Sequence, residues 1–270
     1  MSVYLSSRRA IWAPVYESIL NLLGPTGVII PIGDPNHENA GRTTVTTVGG
    51  EAAVFTYSEA VSAFDTPPSR RGPCRTPIVN FNGTDEEAET PDAAYWSRGD
   101  DTNDFPFSVG AWVNLAAADT KSILAKWGDS STREWQLYVS SGKLELRLMD
   151  QSLSVKPRRP SDAAATTGSW RFFVGTYDGA GGANAADTMV LYDNGVVMPS
   201  TALNQASYVA MENTVAKPRL GFNLTGAGAS ANFFKDWMAG GPVGPFFTQK
   251  ELSADEVLRL YQLGRTALDV

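Results

Sequence analysis

The chain has one histidine, His37, and one cysteine, Cys74, and these two counts close most routes to covalent and metal chemistry. A Ser-His-Asp relay needs a histidine held between two other groups, whereas His37 stands between Asn36 and Glu38 in a polar stretch that reads as an exposed loop. Thiolate and multi-histidine metal cages need more such ligands than the sequence contains, and a single cysteine forms no internal disulfide. Carboxylates remain. Hydrolysis of a glycosidic bond uses two of them about 5 to 9.5 Å apart, and the densest acidic run is Asp85-Glu86-Glu87-Ala88-Glu89. It follows Asn82-Gly83 and is expected to be a solvated loop. Trp127, Arg133 and Trp237 are better suited to holding a ligand than to transforming it. An indole offers a flat apolar face to a sugar ring, and a guanidinium offers a fork of donors.

The frame that positions these residues is legible in the composition. Gly 25, Pro 16, Trp 7, Phe 12 and Tyr 9, with 19% charged and 43% hydrophobic residues, describe many turns around an aromatic core. That is the profile of a β-sandwich or barrel. A net charge of -7 argues against nucleic acid as a partner, because a phosphate backbone calls for a basic footprint. Two basic clusters, Arg70/Arg71/Arg75 and Lys156/Arg158/Arg159, are broken by Pro or Gly and read as solvated loops. No apolar stretch approaches 18 residues, so no membrane span is expected. No signal peptide is evident, and the sequence reads as synthesised in the cytoplasm. An extracellular protein given without its leader would read the same way.

Residues 1–76 differ from the rest and read as an arm or small subdomain. Ile11, Val15, Ile19, Leu22 and Leu23 predict a short helix with Pro14 in its first turn and Gly24-Pro25 ending it. Thr43–Val48 and Ala52–Tyr57 predict a hairpin about Gly49-Gly50,. From residue 77 the pattern is short strands: 78–81, 107–115, 122–127, 134–139, 144–149, 170–177, 189–192, 219–222 and 242–247. Leu144, Leu146 and Leu148 alternate with Glu145 and Arg147, the mark of a strand with one wet face. Ser140-Ser141-Gly142 and Asp193-Asn194-Gly195 are tight-turn chemistry. Ser253-Ala-Asp-Glu256 is a capping box ahead of a C-terminal helix that Gly264 should stop,. Pro242 and Pro245 cannot donate to a ladder, so 240–247 is expected to be an edge or bulged strand. As such it would serve as an assembly surface for the arm or a second subunit.

In this order the pieces resemble the laminin-G-like family of concanavalin A-like jelly rolls. The matching phrases are Phe81-Asn-Gly-Thr-Asp85, Phe107-Ser-Val-Gly-Ala-Trp-Val113, Ile123-Leu-Ala-Lys-Trp127 and Arg133-Glu-Trp-Gln-Leu-Tyr138, followed by Thr167-Gly-Ser-Trp170, Gly175-Thr-Tyr-Asp178, Leu191-Tyr-Asp-Asn-Gly-Val196 and Lys250-Glu-Leu-Ser-Ala-Asp-Glu-Val257. The resemblance covers about residues 78–265. It implies an all-β jelly-roll β-sandwich over 77–270 with a short C-terminal helix, preceded by the 1–76 arm.

The resemblance also brings in relatives that are lectins, adhesion modules, virion proteins or glycoside hydrolases. The hydrolases share a Glu-x-Asp-x-x-Glu strand, and no glutamate here is followed two positions later by aspartate, so no catalytic residues are assigned. Members often hold Ca²⁺ at the sandwich rim, which makes Asp85 and Asp236 the candidate metal ligands. The stretch 240–247 lacks the usual carboxylate, and the expected cofactor is none, with Ca²⁺ as the alternative. The expected function is non-catalytic attachment to a glycan or protein surface, within a homo-oligomer or a larger assembly such as a phage virion. The alternatives are a purely structural capsid decoration or tail protein and, third, an atypical glycoside hydrolase.

Overall fold

In the strand Lys143–Leu148 the three leucines are fully buried, and Glu145 and Arg147 take the opposite face, as the period-two pattern requires. The same rule repeated along the chain gives a two-layered β-sandwich. The computed structural model describes residues 2–270, with side chains from Trp12 onward.

Among the described residues there are two large antiparallel sheets. The eight-stranded sheet runs in the order Arg158–Pro160, Lys143–Leu148, Arg133–Ser140, Lys121–Trp127, Pro218–Leu220, Ala88–Glu89, Val54–Tyr57 and Thr44–Thr46. The ten-stranded sheet has Trp170–Tyr177, Phe107–Asn114, Lys235–Ala239 and Thr76–Asn82 at its heart. Along Phe107–Asn114 the sheet forks. One end pairs with Lys235–Ala239, and the other pairs with Phe246–Thr248, which passes the ladder on to Val28–Ile29 and Val48–Gly49. Between the sheets lies the main core, in which Trp96, Phe107, Trp135, Tyr177 and Phe247 meet the buried leucines.

The hairpins follow their turn residues. Asn194 and Gly195 have φ of 53° and 78°, and Ser141 and Gly142 have 49° and 84°. These pairs of positive values are what a two-residue turn between twisted strands demands. At the C-terminus, Ser253 caps helix α2 (Ala254–Leu268) and Glu256 returns a carboxylate to the Ser253 backbone N–H, completing the capping box.

Residues 1–76 supply a helix and, from Val28 onward, strands of both sheets. Val54–Tyr57 pairs with Ala88–Glu89 in one sheet, and Val28–Ile29 with Phe246–Thr248 in the other. Helix α1 (Ser2–Leu23) extends further toward the N-terminus than the spacing predicts and contains Pro14. Its residues Trp12, Tyr16, Ile19 and Leu23 repeat at helical spacing and are buried together with Trp112, Trp170, Phe172 and Leu260. Helices α1 and α2 therefore cover the outer face of the ten-stranded sheet. The helices leave the outer face of the eight-stranded sheet open, although its side chains Gln136, Tyr138 and Glu145 are themselves buried.

The edge-strand expectation for 240–247 is overturned, while the arm does dock on this segment through Val28–Ile29 and α1. Phe246–Thr248 has a partner strand on each side, and residues 241–248 are all buried. Pro242 lies in a turn, Gly241–Val243, packed beneath α1, and Pro245 needs no donor because its carbonyl accepts from Ile30 N at 2.7 Å. Two prolines were compatible with an inner position because one lies outside the ladder and the other uses only its carbonyl.

Gly264 does not end α2, which runs on to Leu268. Its role is contact: a Cβ there would lie 2.1 Å from Trp112 Nε1, and that buried indole stacks on Tyr261 at 5.4 Å. Gly264→Ala is expected to destabilise the fold by about 1–3 kcal/mol through overpacking. A denaturant midpoint equal to the wild type would contradict this.

Candidate functional site

Trp127 ends one strand, and Arg133 begins the next beyond the loop 128–132, so the ladder places them opposite each other. The Arg133 guanidinium lies 5.5 Å from the centre of the Trp127 ring. From the next strand Arg147, paired with Gln136, reaches the same ring at 5.9 Å and the Tyr138 ring at 4.8 Å. Arg158 stands opposite Arg147 one strand further out. Lys156 approaches from the preceding turn and is exposed. The row Trp127–Arg133–Arg147–Arg158, with Lys156, thus crosses four strands on the open face.

One buried carboxylate organises part of this row. Glu145 receives Arg147 Nε at 2.8 Å, Arg158 Nη1 at 3.2 Å and the Tyr138 hydroxyl at 2.7 Å. Burial, then the Glu145 charge, pushes the Tyr138 hydroxyl above its ordinary range, so it stays a neutral donor. The remaining two cations have no such partner. Among the described residues, neither the Arg133 guanidinium nor the Lys156 ammonium makes an ion pair or hydrogen bond, and Arg133 Nε is buried without an acceptor. Burial and the neighbouring Arg147 charge both pull the Arg133 and Lys156 values down, with Asp129 acting in the other direction on Arg133. Both remain cations at neutral pH, as a guanidinium or lysine with a modest shift must.

Two loops of small residues at strand ends, 128–132 and 225–231, meet beside Arg133. Ser130 N donates to Gly226 O at 3.2 Å, and Gln151 Nε2 donates to Ser130 O at 2.6 Å. A side chain added at Gly226 would begin 3.5 Å from Arg133 Nη2. Next to Arg147, a recess of about 330 Å3 is lined by Arg147, Ser154, Val155, Lys156, Arg158 and Gln205.

The structure separates the other predicted residues. Trp127 is only 5% exposed, because two guanidinium groups cover it. Its ring is closed to a sugar, which corrects the stacking role. Trp237 lies on the ten-stranded sheet, half-buried against the helix-covered cluster, and shares no surface with Trp127 and Arg133. Pro242 and Pro245 are buried, as described above.

Asp236 is also committed elsewhere. Its carboxylate accepts from Lys121 Nζ at 2.5 Å, and Lys121 is itself 1% exposed. Asp85 is exposed in the loop after Thr76–Asn82 and accepts from Asn82 Nδ2 at 2.8 Å. Ca²⁺ takes six to eight oxygen ligands. Among the described residues no cluster of three or more His, Cys, Asp or Glu side chains could hold a metal, and an ammonium fills the Asp236 position. These residues do not fit the ion.

The acidic run departs from a uniformly solvated loop. Glu86 is 1% exposed and accepts backbone N–H groups of Asp65 at 2.5 Å and Asn82 at 2.6 Å, so it ties the loop down. His37 is half-buried rather than exposed. It packs edge-on against Tyr16 beside an apolar cleft of about 260 Å3, one of whose two carboxylates, Asp34, already accepts from Tyr16 and Asn36.

Sequence reasoning missed Arg147 and Arg158 as partners of Arg133. The alternation in 143–148 put Arg147 on the wet face, but nothing local announces that the strand at 158–160 returns beside it.

No helix among the described residues is long and apolar enough to cross a membrane. The Laminin_G_3 family model, described as the concanavalin A-like lectin/glucanases superfamily, matches residues 82–232. No curated protein matches the chain. Among solved structures, the receptor binding domain of botulinum neurotoxin C/D mosaic serotype is similar at 13% identity with a TM-score of 0.57, over 88% of this chain and 51% of that one. The botulinum neurotoxin serotype D ligand binding domain, in complex with N-acetylneuraminic acid, is similar at 12% identity and a TM-score of 0.57, over 91% and 52%. The binding domain of Paraclostridial Mosquitocidal Protein 1 is similar at 12% identity and a TM-score of 0.55, over 87% and 52%. The chain spans about half the length of these structures, and at such identity the likeness is one of fold. The predicted jelly-roll β-sandwich is the fold observed, and with more than half of its length matched the chain belongs to the concanavalin A-like lectin/glucanases superfamily.

Proposed function

We propose that the protein is a non-catalytic attachment module that binds a glycan through the open face of the eight-stranded sheet. The observation that carries this reading is the row of Arg133, Arg147, Lys156 and Arg158 across that face, two of whose cationic heads make no ion pair or hydrogen bond among the described residues. Polar groups left unpaired on a rigid sheet are ready to bond a ligand. The similar folds of receptor and ligand binding domains, one in complex with N-acetylneuraminic acid, agree with this use of the architecture.

Catalysis is not favoured by the face itself. Glu145 is held by two arginines, which leaves no pair of free carboxylates of the kind glycosidases use. The test is a glycan array on the full chain, repeated with Gln205→Trp, which fills the recess beside Arg147. Binding by the wild type with at least tenfold loss in the variant is expected. An array without binders, or a variant that binds fully, would remove this face as the site.

A second reading, self-association within a larger assembly, is favoured by one edge. Val196 and Val197, in the strand at the margin of the ten-stranded sheet, are 66% and 52% exposed, and Leu258 beside them is 37% exposed. An exposed apolar sheet edge is a pairing surface.

A further inference from the structure

The open face is chemically lopsided. The protein as a whole carries a net charge of -7, yet here four cations gather around a single ion-paired carboxylate, Glu145. Burial is the main cause that lowers Lys156, and the charges of Arg147, Arg133 and Arg158 push it in the same direction, so the cations are close enough to repel one another. The flat aromatic surface that would serve a neutral sugar is sealed, since Arg133 and Arg147 lie over Trp127. What the face still offers is charge and hydrogen bonds.

The geometry separates the cations into two kinds. Arg147 and Arg158 are braced by Glu145 at 2.7 and 3.2 Å, so their planes are set before any ligand arrives. Arg133 and Lys156 flank them with hydrogen-bonding capacity unused. A guanidinium fork matches a planar or tetrahedral oxyanion with two parallel bonds, and an ammonium adds a point charge. The recess of about 330 Å3 beside Arg147, Lys156 and Arg158 includes Ser154 and Gln205, neutral groups suited to hydroxyls. Its size is at the lower end of small-ligand pockets.

We propose that this face recognises the acidic groups of a glycan, carboxylates or sulfate esters, with Arg133 and Lys156 contacting the anion, Arg147 and Arg158 lining the recess, and Glu145 as the positioning residue. The inference rests on the glycan-attachment reading above and adds the class of ligand. Hydroxyl-bearing rings between the charges suit the neutral groups of the recess. An acidic peptide or an oligonucleotide would use the charges alone.

The experiment is isothermal calorimetry on the full chain. The probes are a heparin-type oligosaccharide and an oligogalacturonate of defined length, with maltohexaose and cellohexaose as neutral arms and poly-glutamate and an oligonucleotide as other polyanions. Expected is binding of an acidic glycan that weakens with salt. Arg133→Gln and Lys156→Gln should each weaken it about tenfold, the scale of one charge-assisted hydrogen bond. Lys156 is exposed and unpartnered, so its variant folds even if the Arg133 one does not. A Glu145→Gln variant, assayed at a temperature where it is fully folded, should lose about tenfold in affinity for acidic glycans, and Glu145→Asp, which keeps the charge, should recover part of it. Equal binding of neutral and acidic glycans, indifferent to both cation variants, would overturn the inference and leave the attachment reading standing. Equal binding of poly-glutamate or the oligonucleotide would overturn the assignment to glycans. No glycan bound at all would remove the attachment reading and this inference together.

Discussion

Trp135→Ala is expected to cost about 3–5 kcal/mol of folding stability, the range for a large aromatic removed from a packed core. The indole is fully buried and belongs to the open sheet, but its ring neighbours belong to the other layer. It stacks on Phe247 at 4.9 Å and approaches Phe107 at 5.5 Å, while its N–H donates to Trp96 O at 2.8 Å. Removing it opens a cavity where the sheets meet and leaves a buried carbonyl unpaired. Trp135→Phe keeps much of the ring contact and forfeits the hydrogen bond, so it should lose clearly less. Urea titrations of the three proteins decide the matter, and an alanine variant within 1.5 kcal/mol of the wild type, about half the lower bound, would contradict the packing account.

Lys126→Met should be comparably severe, about 3–5 kcal/mol, because it strips the counter-charge from a closed ionic cluster. Lys126 and Glu134 are both fully buried, 2.5 Å apart. Lys126 also meets Asp92 at 3.0 Å and Thr214 O at 2.6 Å, while Glu134 Oε1 accepts from Thr214 N and Oγ1. Glu134→Gln keeps an acceptor and removes the orphaned charge, so the double variant should recover at least about 1 kcal/mol relative to Lys126→Met alone. A fully additive pair would contradict the coupling.

The same carboxyl gives a pH signature. Burial, against the pull of Lys126, raises Glu134 from 4.5 to about 7, and its Oε2 has no hydrogen-bond partner. A folded value above the unfolded one means that the folded state binds more protons between them. Stability from this group is therefore full below about pH 4.5 and declines as pH rises toward 7,. Glu86 and Glu87 are shifted in the same direction, chiefly by burial, so the wild-type slope is shared. The difference between wild type and Glu134→Gln isolates the contribution, and identical slopes would rule it out.

What could be read from the sequence follows a physical dividing line. Strands of six to eight residues with a buried face, such as Trp170–Tyr177 and Lys143–Leu148, announce themselves because period and composition agree over their length. Turns and caps do so because specific φ values need specific residues. Val28–Ile29, Val48–Gly49 and Ala88–Glu89 are two residues each, too short for a period, and their pairing is decided by partners far along the chain. The site divides likewise. Trp127 and Arg133 flank one short loop and were legible together. Trp237 looked equivalent by residue type, yet its strand belongs to the other layer.

The strand Phe246–Thr248 fits between Val28–Ile29 and Phe107–Asn114. During synthesis, Val28–Ile29 therefore leaves the ribosome about 220 residues before its neighbour exists. At translation speeds of about 5–20 residues per second that is a wait of roughly 10–40 s. Closing so distant a pairing is slow, and until Phe246–Thr248 emerges, the apolar edges of Val28–Ile29 and Phe107–Asn114 have no permanent occupant. The nascent protein thus passes through a prolonged, chaperone-accessible stage that no point substitution on the open face would shorten.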